Sequence, residues 1–136
     1  MRELTAAVAE SDQEHIVLDM EAGVEHLSRG TTRNMNVLLV VAEPYYKSLE
    51  TAARVVKLGR EFGIARVLTV VNKVRPEDKR SIGEFVERHG LDVVASIAYD
   101  ESVLEADRRG IAPIDHDASA PMVTTVMGLT AKLLDT

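Results

Sequence analysis

The sequence predicts an α/β domain: a mostly parallel sheet of about four strands with helices on both faces. Three observations carry this. The run at 37–42 is continuously apolar rather than alternating, as expected of a central strand covered on both sides, and 16–18, 67–71 and 93–97 read as further strands. Segments of helical period separate them. Three of those segments close on the same signal, Phe62-Gly63-Ile64, His89-Gly90-Leu91 and Arg109-Gly110-Ile111. Glycine takes the left-handed conformation past the helix end, and the apolar residue after it folds back on the last turn. Two of these closures lead into a strand, which is the rhythm of βαβ crossovers.

In chain order, residues 2–12 place Leu4, Ala7 and Val8 on one helical face. Residues 15–19 read as a strand that ends in Asp19. A loop and a short helical stretch at 25–33 follow. Residues 37–42 are the central-strand candidate. Residues 48–62 carry Leu49, Ala52, Ala53 and Val56 at helical spacing. Strand 67–71 precedes a helix at 77–89 with Ile82, Phe85, Val86 and His89 inward. Strand 93–97, a helix at 101–109 and a helix at 120–134 complete the chain. The last helix carries a stripe of Met122, Val126, Leu129 and Leu133. So small a sheet leaves one edge without its usual neighbours, and that edge calls for a partner.

The chain has 136 residues, 46% of them apolar, which suits one domain, 1–136, with a real core. Its formal net charge is −6 and its lysines and arginines are scattered, so nucleic acid is not an expected partner. With no cysteine there is no disulfide, no thiolate metal site and no cysteine nucleophile. That agrees with a reducing cytoplasm, the expected location. The first residues are too polar for a signal peptide, and no apolar run approaches the roughly 20 residues of a membrane span.

In a parallel sheet the strand C-termini form one rim, where ligands bind. The expected rim is Asp19 to Gly23, Glu43-Pro44, Asn72-Lys73 and Ala98-Tyr99-Asp100. Asp19 can hold a magnesium-bound water, or simply end a strand in a turn. Gly23 can bring its N–H to a terminal phosphate, or allow a turn. Glu21, Glu25 and His26 are acid–base candidates or solvated surface. The Asn72 carboxamide complements an adenine N6/N7 edge; it also suits a strand exit. Lys73 can pair with phosphate or with water. Asp100 is best read as the N-cap of helix 101–109. Tyr45 and Tyr46 mark a turn, or face a partner. The histidines lack i,i+4 pairing. The Asp115-His116-Asp117 triplet reads as a polar loop, and no metal site is expected within the chain.

Taken together, Asp19-Met20-Glu21-Ala22-Gly23-Val24-Glu25-His26, then Val40 to Pro44, then Val71-Asn72-Lys73-Val74, then Ile97 to Glu101 resemble the C-terminal half of CooC-type ATPases. Those are nickel-insertion accessory proteins of carbon monoxide dehydrogenase, in the MinD/ParA/nitrogenase-iron-protein group of P-loop NTPases. The resemblance runs from about residue 3 to residue 115 in the expected order. It implies an incomplete P-loop, Rossmann-like fold. It implies ATP and Mg²⁺ as cofactors, with Asp19 as the catalytic switch aspartate and Gly23 at the γ-phosphate. It implies that Asn72 reads the adenine, with Lys73 beside it and Tyr99 in the loop along the base. It further implies a homodimer or a complementing N-terminal NTPase half, and carbon monoxide dehydrogenase as client.

The 136 residues contain no Gly-rich phosphate loop with its lysine, no switch I and no Cys-x-Cys, and residue 98 is alanine where many such proteins have proline. Phosphoryl transfer depends on the charge neutralisation such a loop supplies. The expectation is therefore a partial nucleotide-binding protein that does not hydrolyse ATP alone. The competing expectation is a non-enzymatic self-association or docking module. A receiver-like domain fits poorly, because the strand at 67–71 exits at Asn72 without an acceptor aspartate.

Overall fold

A computed structural model describes residues 15–20 and 35–134. Within them the order is β1 (Val37–Ala42), α1 (Tyr46–Glu61), β2 (Arg66–Val74), a 3₁₀ turn (Pro76–Asp78), α2 (Lys79–His89), β3 (Val93–Ala98), α3 (Glu101–Arg109), α4 (Pro113–His116) and α5 (Pro121–Leu134). The three strands form one sheet in the order β1-β2-β3, and both pairings are parallel. The expected helices at 2–12 and 25–33 lie outside the described residues.

The β1–β2 ladder runs in unbroken register from Val37↔Arg66 to Ala42↔Val71. Helices α1 and α2 cover one face of the sheet. There Leu49, Ala52 and Val56 of α1 and Ile82 and Phe85 of α2 pack with Val40, Ala42, Val67 and Val71. Helix α5 covers the other face, where Leu129, with Met122 and Leu133, packs against Val70, Ile97 and Leu39. Layers on both sides explain why residues 67–71 of β2 are all buried and, Thr69 apart, all apolar.

The three glycine closures form as the sequence predicts. Gly63, Gly90 and Gly110 have φ of 78°, 59° and 65°. The next residue's N–H returns to the helix in each case, Ile64 to Gly59 O, Leu91 to Val86 O and Ile111 to Ala106 O, all at 3.1 Å. This is the six-to-one bond of a Schellman motif. The Arg60 guanidinium donates to Gly90 O at 3.0 Å and so joins α1 to the end of α2.

Four expectations are corrected. No strand forms over 15–19, so among the described residues the sheet has three strands rather than four. Ile16, Val17 and Leu18 stay exposed, Val17 at 94%. An apolar run becomes a strand only when a ladder partner and a covering layer take it up, and the sequence pattern reports neither. Strand β2 continues three residues past the expected end, to Val74. His89 is exposed rather than inward. It lies flat on Phe85, with ring centroids 4.1 Å apart, and shields that ring from outside. Val126 sits on the exposed flank of α5, while its neighbour Val123 is buried.

Candidate functional site

The rim is built by a bulge at the end of the central strand. Between the β2–β3 pairs Val71↔Ser96 and Val74↔Ala98, β2 takes three steps while β3 takes two. The surplus falls at Asn72-Lys73. Lys73 has φ +57, the left-handed region, and it is the one such non-glycine residue among those described. That conformation costs an L-residue about 1–2 kcal/mol. Bulges re-aim side chains next to binding sites. Here the bulge returns Val74 to the core and leaves Asn72 half-buried and Lys73 exposed.

Polar contacts hold the bulge. The Lys73 N–H donates to Asn72 Oδ1 at 2.9 Å. Lys73 Nζ reaches across to Glu43 Oε1 at 2.8 Å, joining the exits of β1 and β2. This hydrogen bond, and the carboxylate charge behind it, raise the Lys73 ammonium pKa above its ordinary value of 10.5. Glu43 is itself fixed, because its N–H donates to Ser48 Oγ at 2.9 Å in the first turn of α1.

The third exit, after β3, closes on the same place. The Tyr99 N–H donates to Val74 O at 2.9 Å. The Arg75 guanidinium lies 4.2 Å from the centre of the Tyr99 ring, a cation–π contact. The Arg75 N–H donates to Asp78 Oδ2 at 2.9 Å. Glu43, Tyr45, Lys73, Arg75, Asp78 and Tyr99 border an open depression of about 340 Å³. It offers a flat guanidinium–phenol pair, carboxylates and an ammonium. Such a set suits a planar, hydrogen-bonding ligand better than an apolar one.

Asp100 fills the N-cap role. Its Oδ1 accepts from the Ser102 N–H at 2.9 Å and the Ser102 hydroxyl at 2.6 Å. Its Oδ2 accepts from the Met122 N–H at 3.3 Å, so one carboxylate caps α3 and fastens the start of α5. The Ser102 hydroxyl, with the Ser102 and Met122 amides behind it, holds its pKa below the usual 3.8.

Of the expected site residues, the structure brings Lys73 and Tyr99 to the depression and puts Asn72 directly behind Lys73, not in its lining. Asp19 is exposed and ends no strand. Gly23, Glu21, Glu25 and His26 lie outside the described residues. Sequence reasoning missed Arg75 and Asp78. The signal was there: Arg75 precedes Pro76, which holds Arg75 extended, and it is the true exit residue once β2 runs to Val74. Among the described residues, no three histidine or acidic side chains gather as metal ligands. None of the described helices is long and apolar enough to cross a membrane.

A parallel α/β sheet with its polar residues gathered at the C-terminal rim is the general plan of nucleotide-binding domains. The comparisons agree. No family model matches the chain. Two uncharacterised ATP-binding proteins of Methanocaldococcus jannaschii are 43% and 37% identical over 108 and 102 residues, or 79% and 74% of this chain. The carbon monoxide dehydrogenase accessory protein CooC of Rhodospirillum rubrum is 34% identical over 117 residues, 85% of the chain. The matches cover 42%, 40% and 43% of those proteins, so the chain spans less than half the length of the curated relatives it matches. Among solved structures, the MinD cell division protein of Aquifex aeolicus superposes with a TM-score of 0.68 at 20% identity, over 84% of this chain and 50% of that one. A ParA family ATPase of Chlorobium tepidum superposes equally well, at 0.68 and 19% identity, over 80% and 47%. The chain is thus similar over most of its length to ATP-binding proteins and to CooC, and its fold is that of part of the MinD and ParA ATPases.

Proposed function

We propose that these residues form the nucleoside-binding part of a CooC-like ATP-binding protein. They correspond to the C-terminal half of its NTPase domain, and the grip on the triphosphate comes from elsewhere. The observation that carries the reading is the convergence of Glu43, Lys73, Arg75 and Tyr99, from three strand exits, on one depression. The Arg75–Tyr99 pair gives a base a face to stack on. Asn72 lies outside that lining, next to Lys73; its Oδ1 keeps a lone pair and its amide group makes no hydrogen bond among the described residues, so on this reading it meets an adenine edge from beside the depression with both an acceptor and a donor. The ATP-binding relatives support the ligand class.

No Gly-rich phosphate loop occurs in the 136 residues, so no hydrolytic step is assigned to them. Asp19 as the switch carboxylate, Gly23 at the γ-phosphate and Mg²⁺ between them belong to the complete protein on this reading. The narrower role, nickel insertion into carbon monoxide dehydrogenase by a cytoplasmic dimer, rests on the likeness to CooC. Contacts to the nucleoside end alone should give millimolar affinity, about −4 kcal/mol.

The test is a titration of MgATP into the ¹⁵N-labelled chain. Saturable millimolar shifts at Lys73, Arg75 and Tyr99 are expected. Shifts absent from these residues refute the site, and micromolar affinity refutes the division of labour.

A second reading has one observation in its favour. The outer edge of β1 pairs with no strand among the described residues, and Val41 is 58% exposed beside it. Such an edge suits strand addition and self-association. Light scattering that gives a dimer insensitive to nucleotide would favour this module.

A further inference from the structure

Resting on the nucleotide reading above, we propose that Glu43 is a positioning residue for base selection, holding the Asn72 carboxamide in place through Lys73. The contacts form a relay. Ser48 Oγ accepts the Glu43 N–H at 2.9 Å and fixes the start of the loop after β1. Glu43 Oε1 then accepts from Lys73 Nζ at 2.8 Å, across 30 positions of sequence. The Lys73 backbone N–H, turned by its φ of +57, donates to Asn72 Oδ1 at 2.9 Å.

An exposed ion pair adds little to stability in general, and these side chains are only partly covered. Its place is what matters. It tethers the side chain of the one described non-glycine residue in the left-handed region, where the backbone has a standing reason to relax. If Lys73 leaves that conformation, its N–H turns away and the Asn72 carboxamide loses the bond that orients it. A carboxamide that rotates by half a turn sets its donor against the adenine N6 amino group and its oxygen against N7, so it loses adenine, whereas guanine, whose O6 and N7 both accept, receives one donor bond in either orientation. The pair thus acts on which base is accepted rather than on how tightly a nucleotide is held.

The experiment compares wild type, Glu43→Gln and the charge-swapped double variant Glu43→Lys/Lys73→Glu, titrated with MgATP and MgGTP and followed by ¹H–¹⁵N spectra at low salt. Glu43→Gln is expected to shift the residue-73 amide and the Asn72 side-chain amide before any nucleotide is added. It is also expected to lower the preference for ATP over GTP by about two- to fivefold, the range of a lost exposed pair. The swap is expected to recover part of that preference. A structural role alone would change the melting temperature and leave the ATP-to-GTP ratio untouched. Wild-type discrimination that Glu43→Gln leaves intact overturns this inference alone. A wild-type chain that takes up neither nucleotide sinks the nucleotide reading, and this inference with it.

Discussion

Replacing Thr69 by valine should stabilise the chain. Thr69 stands in the middle of β2, in register with Val40 on one side and Val93 on the other. It is 0% exposed, and its Oγ1 has no hydrogen-bond partner among the described residues. The hydroxyl gave up its hydrogen bonds to water on folding and regained none among the described residues, a cost of about 1–3 kcal/mol. Valine has nearly the same shape and a strong preference for strands, so the substitution removes that cost without opening a cavity. A gain of about 1–2 kcal/mol is expected. For a chain of this length it raises the melting temperature by about 3–4 °C per kcal/mol. Val71, equally buried two residues on, supplies the mirror experiment, and Val71→Thr should cost about as much as Thr69→Val gains. Thermal and urea unfolding by circular dichroism read both. A Thr69→Val variant no more stable than wild type, beside a Val71→Thr variant that is clearly weakened, would show that the Thr69 hydroxyl has a partner and that the reasoning is wrong.

Asp100→Ala should cost about 1 kcal/mol or more in urea unfolding, since it uncaps α3 and releases Met122, while Asp100→Asn should keep part of the cap. The Ser102 and Ser119 hydroxyls hold the carboxyls of Asp100 and Asp117 below their ordinary 3.8, so both contribute stability above that pH and lose it as pH falls through the depressed values. Acid unfolding should therefore set in below about pH 4, and Asp100→Asn should flatten its slope; an unchanged slope would remove Asp100 from the account. Two glycines near α2 should answer alanine oppositely, although an added Cβ meets nothing at either. Gly90→Ala, at φ +59, should destabilise by about 1 kcal/mol, and Gly83→Ala, within the helix, should stabilise by about 0.5–1 kcal/mol. Like signs in melting curves would contradict the left-handed closure.

The parts of the fold legible in the sequence are those fixed by local chemistry. Residues 37–42 and 93–97 could be read because a strand packed between helices carries mostly Val, Leu, Ile and Ala, even where Val41 and Ser96 stay exposed. Helix ends at Gly63, Gly90 and Gly110 could be read because few other residues tolerate that backbone. The rim was legible in outline, since polar residues follow each apolar run and parallel pairing puts those exits on one side. What escaped depends on distant partners. Residues 15–19 have a strand's composition, but a strand needs a neighbour to bond. The bulge at Asn72-Lys73 hid the last turn of β2, so Arg75 passed for loop. The Glu43–Lys73 pair joins residues that no local pattern connects. His89 kept helical spacing with Ile82 and Phe85, yet an imidazole at the last turn reaches water while its face covers a ring.

The middle position of β2 has a further consequence. Among the described strands this one is bonded along both flanks and roofed on both faces, so its amides should be the last of them to exchange with deuterium. Asn72 and Lys73 hang from its tip. The recognition edge is thus mounted on the slowest-opening piece of the molecule, and it should hold its geometry through partial melting that has already loosened the α3–α5 layer.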